Sequence, residues 1–207
     1  MLHVSATHQN WIDFLVINQN SPASSQKFTW TPEECKKIIS ASNNLELKPA
    51  LILSDNAEEG NVDLSFRKTN RWLIPNIEPY GWIYERVCDT LLSANRDFWN
   101  LDVDLIETLE LLQYKHDPTT NVNGHYNKHS DFGGDLTTRK VSYTALLSDP
   151  ANFAGGDLIF YLQKDITMPK EQGQIILFPS LTFHEVTPVT QGDRWALVTW
   201  IRGRHLK

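Results

Sequence analysis

His129 and Asp131 stand two residues apart in the stretch Gly124-His125-Tyr126-Asn127-Lys128-His129-Ser130-Asp131. One offers a neutral nitrogen donor, the other an anionic oxygen. In an extended chain, alternation with period two turns both side chains to the same face. That is half a coordination sphere. A second histidine would complete a facial set of two imidazoles and one carboxylate, which suits Fe(II) with positions left open for substrate and O2. His184, in Pro179-Ser180-Leu181-Thr182-Phe183-His184-Glu185-Val186 just past an expected strand, is the natural third ligand.

Ten residues further on, Arg194 opens the apolar run Arg194-Trp195-Ala196-Leu197-Val198-Thr199-Trp200. As a strand, this run puts Arg194, Ala196, Val198 and Trp200 on one face. A guanidinium on an otherwise apolar face must find an anion there, because an unpaired buried charge is too costly. A carboxylate fits its planar fork. A dicarboxylic cosubstrate, one end on the metal and the other on Arg194, would supply it. Each signal alone is weak: His-X-Asp arises by chance, a solitary histidine is usually a satisfied core or surface residue, and a strand arginine is usually half of a salt bridge. Their order and spacing together favour the metal site.

The rest of the chain must position these groups. Phe14-Leu15-Val16-Ile17 reads as a strand. Thr31-Pro32-Glu33-Glu34 announces a helix, with Thr31 as N-cap, Pro32 in the first turn and Glu34 closing a capping box. Leu51-Ile52-Leu53 suits a strand, and Trp72-Leu73-Ile74 is extended up to Pro75. From Tyr80 to about Asn95, Ile83, Val87, Leu91 and Ala94 repeat at helical spacing. Trp82, Tyr84, Phe98 and Trp99 are assigned to core. After Trp99 the pattern becomes strand-like: two strands within 101–114, then strands near 141–147, 157–161, 174–178 and 195–200. Helices first and closely spaced strands afterwards predict an α+β protein built on a β-sandwich or jelly roll. One domain over 1–207 is expected, with support from about 1–100 and a catalytic core at about 101–203.

The chain's 207 residues carry a formal net charge of -6, which argues against a nucleic-acid partner, since phosphate binding needs concentrated Lys and Arg. Only Cys35 and Cys88 are present, so a reduced compartment is the simpler expectation. The first residues show no secretory signal, and no apolar run is long enough to span a bilayer. A cytoplasmic location without membrane contact is expected, and oligomeric state is not legible. His125 lies four residues before His129, so an unbroken strand would put it on the same face about 13 Å along, too far to be a ligand. His3, His8, His116 and His205 are expected at the surface.

The succession Tyr114, Gly124-X-Tyr126, His129-X-Asp131, Gly155-Gly156, Phe178-Pro179, His184 and Arg194 resembles the 2-oxoglutarate- and Fe(II)-dependent dioxygenases of the prolyl-4-hydroxylase type, including the PKHD-type hydroxylases. The resemblance covers about 109–203, with 67–100 similar more loosely. It implies a double-stranded β-helix (jelly-roll) core with N-terminal helices packed on the major sheet. It also implies iron ligation by His129, Asp131 and His184, with Arg194 binding the distal carboxylate of 2-oxoglutarate. By the same resemblance Tyr114 and Tyr126 lie at the cosubstrate site and Trp200 near the iron. Many relatives place a tyrosine on the strand after His-X-Asp to help hold that carboxylate. Here the matching position is Leu146 and Tyr143 is out of phase. Tyr143 then does not serve, or the alignment slips, or Ser142 or Thr144 substitutes.

The resemblance implies conversion of 2-oxoglutarate and O2 to succinate and CO2, coupled to hydroxylation of an unactivated C–H bond. Ascorbate (vitamin C) dependence is expected with it. Asp131 favours hydroxylation over halogenation, because a halogenase leaves that ligand position to halide. A peptidyl proline in a peptide or protein is the first candidate target, and a free amino acid or other small molecule the second. The same fold could also serve as a non-catalytic metal-binding protein, which would not consume 2-oxoglutarate.

Overall fold

The structure is a computed structural model that describes residues 14–50, 63–119 and 123–205. The strand expected at 51–53, and His3 and His8, lie outside the described residues. The first strand, β1, is Leu15–Ile17, and a short helix α1, Ala23–Gln26, follows it. Helix α2, Pro32–Ser40, starts as its sequence requires. Thr31 accepts a hydrogen bond from the Glu34 N–H, and the Glu34 carboxylate accepts one from the Thr31 N–H. Strands β2 (Leu47–Lys48), β3 (Arg67–Lys68) and β4 (Asn70–Ile74) precede the longest helix, α3, Gly81–Ala94.

The remainder is almost all strand. β5 is Leu105–Ile106, β6 Leu109–Lys115, β7 His125–His129, β8 Arg139–Leu146 and β9 Phe153–Gly155. β10 is Leu158–Tyr161, β11 Asp165–Thr167, β12 Ile175–Pro179, β13 Phe183–Val186 and β14 Val189–Arg202. They form two antiparallel sheets. The major sheet runs β1-β12-β8-β14-β6-β4-β2, with β5 and β9 also paired to β14. The minor sheet runs β11-β10-β13-β7-β3.

Strand alternation sorts the major sheet's residues between two apolar regions. Leu109, Leu111, Tyr143, Ala145, Leu177 and Leu197 point to the outer face, where they meet Trp30, Ile38, Ile83, Val87 and Leu91 of the helical segment. The N-terminal helices are therefore the backing of the major sheet. Leu112, Tyr114, Ile176 and Phe178 point the other way, to meet Leu158, Phe160 and Val186 of the minor sheet. The chemistry lies on this inner side.

A candidate metal centre facing a buried arginine

β7 and β13 bring two of the expected ligands side by side, for His129 and His184 are cross-strand partners. His184 follows the strand that ends at Pro179, as expected, and lies within a further strand, β13, one residue from its start; the turn after Pro179 is short enough for pairing to resume at Phe183. The pairing slips on the way to Val186, which is opposite Tyr126. Three residue steps on β7 thus match two on β13, a bulge that re-aims side chains. Its consequence is visible in the rings: Tyr126 stacks on His129 with centroids 3.5 Å apart, although strict alternation would send them to opposite faces.

The bulge also corrects the expectation for His125. Its phase relative to His129 is reversed, and its ring lies against the Asn123 and Ser65 carbonyls, Nδ1 at 2.8 Å and Nε2 at 3.0 Å. It is a buried tie between β7 and the segment before β3. His205 is exposed, as expected, while His116 is half-buried with Nδ1 against the Asn123 side chain.

Asp131 follows the end of β7 and faces both imidazoles. His129 Nε2 is 3.6 Å from Asp131 Oδ1, and His184 Nε2 is 3.7 Å from Oδ2. One donor atom from each of the three residues lies within 4.8 Å of the others. His129 Nδ1 stands 2.8 Å from the Asn127 carbonyl and His184 Nδ1 2.9 Å from the Thr182 carbonyl. A carbonyl only accepts, so each Nδ1 carries the hydrogen and each Nε2 lone pair is turned towards Asp131. Burial drives His184 down to about 4, with the neighbouring His129 adding to the effect. Burial by itself would raise Asp131, but positive charge on His184 and His129, or a cation in their place, together with the Trp200 N–H outweighs it and holds the carboxyl well below the usual carboxylate range. Two neutral nitrogen lone pairs and a carboxylate converging on one point fit a divalent cation, and the donor types suit Fe(II).

Ser142 on β8 completes the support of Asp131. Its Oγ donates to Asp131 Oδ2 at 2.7 Å and lies 3.1 Å from Ser180 Oγ. By sequence Ser142 is one alternative for the distal carboxylate; its hydroxyl is instead taken up by Asp131. Tyr143 is on the opposite face of β8, where its phenol accepts a hydrogen bond from Trp30 Nε1 at 2.8 Å. Leu146 is on the inner face beside Ala196, and Thr144 lines the cavity.

Arg194 lies across from Tyr114 in the β14–β6 ladder. It is 5 % exposed, and among the described residues no carboxylate pairs with it. Its guanidinium carbon is 5.2 Å from the Tyr114 ring centroid. Gly156, at φ +61°, clears its path: a Cβ there would be 2.8 Å from Arg194 Cδ. Trp200 also lies on the inner face, sandwiched against Arg139 at 3.6 Å, while Arg139 is held by the Glu107 carboxylate. The Trp200 indole N–H is buried without a hydrogen-bond partner among the described residues, and it faces Asp131 closely enough to help stabilise its charge. All seven expected site residues line one cavity of about 400 Å³, together with Arg67, Arg71 and Glu110, which sequence reasoning did not single out.

This architecture is a double-stranded β-helix with a two-histidine, one-carboxylate centre in its mouth. Residues 109–202 match the profile of the 2OG-Fe(II) oxygenase superfamily. A PKHD-type hydroxylase of Sphingopyxis alaskensis is 41% identical over 129 residues, 58% of this chain and 56% of that protein. One from a Synechococcus strain is 42% identical over 67 residues, covering 30% and 29% of the two chains. The match thus spans about half the length of the first curated relative and less of the second. Two solved structures share the fold. A Pseudomonas putida prolyl-4-hydroxylase superposes with a TM-score of 0.65 at 20% identity, over 86% of this chain and 90% of that one. A prolyl hydroxylase from Trichoplax adhaerens, solved with a hypoxia inducible factor peptide fragment, gives 0.69 at 17% identity, over 92% and 83%. Among the described residues no helix is long and apolar enough to cross a membrane.

Proposed function

We propose that the chain is an Fe(II)- and 2-oxoglutarate-dependent dioxygenase that hydroxylates an unactivated C–H bond of a peptidyl residue, proline first among the candidates. The observation that carries this reading is Arg194: a buried guanidinium without a carboxylate partner among the described residues, in the same cavity as the three donors. A dicarboxylate that also reaches the metal satisfies both.

In this reading residues 101–203 are the catalytic core of one domain, and His129, Asp131 and His184 hold the iron. When bound, iron and 2-oxoglutarate together supply the activation of O2 and the oxidation of the substrate, with succinate and CO2 as coproducts. Arg194 anchors the distal carboxylate, and buried Tyr114 opposite it is the partner hydroxyl. Ser142 fixes the carboxylate plane of Asp131. Tyr126 packs on the His129 ring and limits its rotation. Trp200 walls the cavity, and the apolar inner residues exclude water from the reacting centre. The peptide bound in the Trichoplax enzyme supports a peptidyl substrate for this chain. Ascorbate would keep the iron reduced between turnovers. Two free thiols, Cys35 and Cys88, agree with a cytoplasmic setting.

The test is turnover of 2-oxoglutarate by purified, Fe(II)-loaded protein under air, with and without proline-containing capped peptides, and succinate read by mass spectrometry. Succinate should form, stop on chelation of iron and rise with an acceptable peptide. Its absence from soluble, metal-loaded protein would overturn the proposal.

A further inference from the structure

Glu110 sits on β6 four residues before Tyr114, its side chain turned into the same cavity. The residue is 8 % exposed. Arg71 donates to its Oε1 at 2.8 Å, and Arg67 approaches its Oε2 at 3.9 Å, too far for a hydrogen bond. Oε2 is buried and accepts no hydrogen bond among the described residues. A buried carboxylate oxygen without a donor is costly in a folded protein. This one lines the cavity in which the proposed reaction takes place.

Its position relative to the metal centre follows from a chain of contacts. Arg67 stands over the Tyr126 ring at 4.5 Å, and Tyr126 stacks on His129. Glu110 is therefore separated from a metal-facing imidazole by one guanidinium and one phenol. It is on the side of the cavity away from Ser142 and β8, since β6 and β8 flank β14 on opposite sides. The cavity's volume of about 400 Å³ is near the small end of ligand sites, which run roughly 300–1,000 Å³. With 2-oxoglutarate on Arg194, the space that remains suits a single residue or a similarly small group.

We infer that Glu110 is a substrate-recognition residue whose Oε2 accepts a hydrogen bond from a neutral N–H donor, a peptide amide. The inference rests on the proposed oxygenase reading and sharpens its substrate class. The charge of Glu110 is already balanced by Arg71 in direct contact and by Arg67 nearby. What the oxygen lacks is a hydrogen, not a countercharge. An ammonium would supply the hydrogen but would be pushed away by the two guanidiniums. An amide N–H supplies it without that penalty, so peptide bonds are favoured over the ammonium of a free amino acid.

Three small probes separate these cases: N-methylacetamide, N,N-dimethylacetamide, which has no N–H, and methylammonium. They are titrated into the full chain loaded with Zn(II) and 2-oxoglutarate, with binding followed by NMR at the Arg71 Nε–H and Trp200 Nε1–H signals. Saturable binding of N-methylacetamide at least about tenfold tighter than either other probe is expected, the scale of one charge-assisted hydrogen bond. Glu110→Gln, which keeps the shape, and Glu110→Leu should each erase that preference. Equal binding of the two amides, stronger binding of methylammonium, or no binding in the cavity would overturn the inference. Retained 2-oxoglutarate affinity in the same samples shows that the cosubstrate site stands; its loss in the parent would instead overturn the oxygenase reading.

Discussion

Arg194 and Tyr114 face each other as cross-strand partners of β14 and β6, both nearly inaccessible to solvent. Burial raises the Tyr114 phenol above its ordinary value and lowers Arg194 below its own, yet arginine stays charged at any working pH. The protein thus holds a desolvated cation with no carboxylate in direct contact among the described residues, Asp157 acting on it only from a distance while paired with Lys170, and a bound carboxylate would recover the cost.

Arg194→Met should separate those two effects. Without ligand the variant should be as stable as the parent or more so, because an unpaired buried charge is replaced by an apolar side chain. Its affinity for 2-oxoglutarate should fall about 10–100-fold, the scale of one or two hydrogen bonds to a charged group. Urea unfolding and isothermal titration read the two quantities. A ligand-free variant much less stable than the parent would show that Arg194 has a structural partner instead.

Gly156→Ala should reach the same arginine through the backbone. The position has φ +61°, and the new Cβ would press on Arg194 Cδ and Val189 Cγ2. The left-handed conformation alone costs about 1–2 kcal/mol for a residue with a Cβ. The variant should lose stability and weaken 2-oxoglutarate binding together, unlike Arg194→Met. Unchanged thermal stability would contradict this.

Ser142→Ala removes the hydrogen bond that orients Asp131 and leaves the strand otherwise intact. Outer partners of metal ligands are typically worth roughly 10–100-fold in metal affinity. A Mn(II) or Zn(II) titration should show a loss in that range with little change in fold by circular dichroism. Ser142→Thr, which keeps the hydroxyl, should recover part of it.

Glu107 binds Arg139 and Arg202, and Arg139 in turn lies on Trp200. Burial would raise its pKa, but the two arginines more than offset this and hold it below 4.5. A carboxylate depressed in the folded state contributes stability that is complete above its unfolded pKa and is lost as pH falls through the folded one. Glu107→Gln should therefore cost about 1.5–3 kcal/mol at neutral pH. Its deficit against the parent should narrow as pH drops below 4.5. A pH-independent difference in urea midpoints would contradict the assignment.

Much of this molecule could be read from its residues because the signals were local. Thr31 to Glu34 specifies its own capping box, Ile83 to Ala94 its own buried stripe, and the spacing of His129, Asp131, His184 and Arg194 picks out four groups that the sheets bring together. The sequence also places Tyr143 out of phase, and its phenol does belong to the helix-side core. What could not be read depends on register. The β7 bulge, which sets Tyr126 on His129 and turns His125 away, is a mismatch between two strands distant in sequence. Ser142 reaches Asp131 only because β8 lies beside the metal stretch. Nothing local marks Glu110 as buried, for its burial depends on β4 supplying Arg71 across the ladder.

His129, Asp131, His184 and Arg194 are proposed to bind Fe(II) and 2-oxoglutarate together. Anaerobic addition of both to the purified protein, followed by visible spectroscopy, tests this most directly. A weak charge-transfer band from the chelate should appear in the parent, be absent in His129→Ala, and require much more 2-oxoglutarate in Arg194→Met. No band in soluble, metal-loaded parent protein, or a band indifferent to both substitutions, would contradict the account.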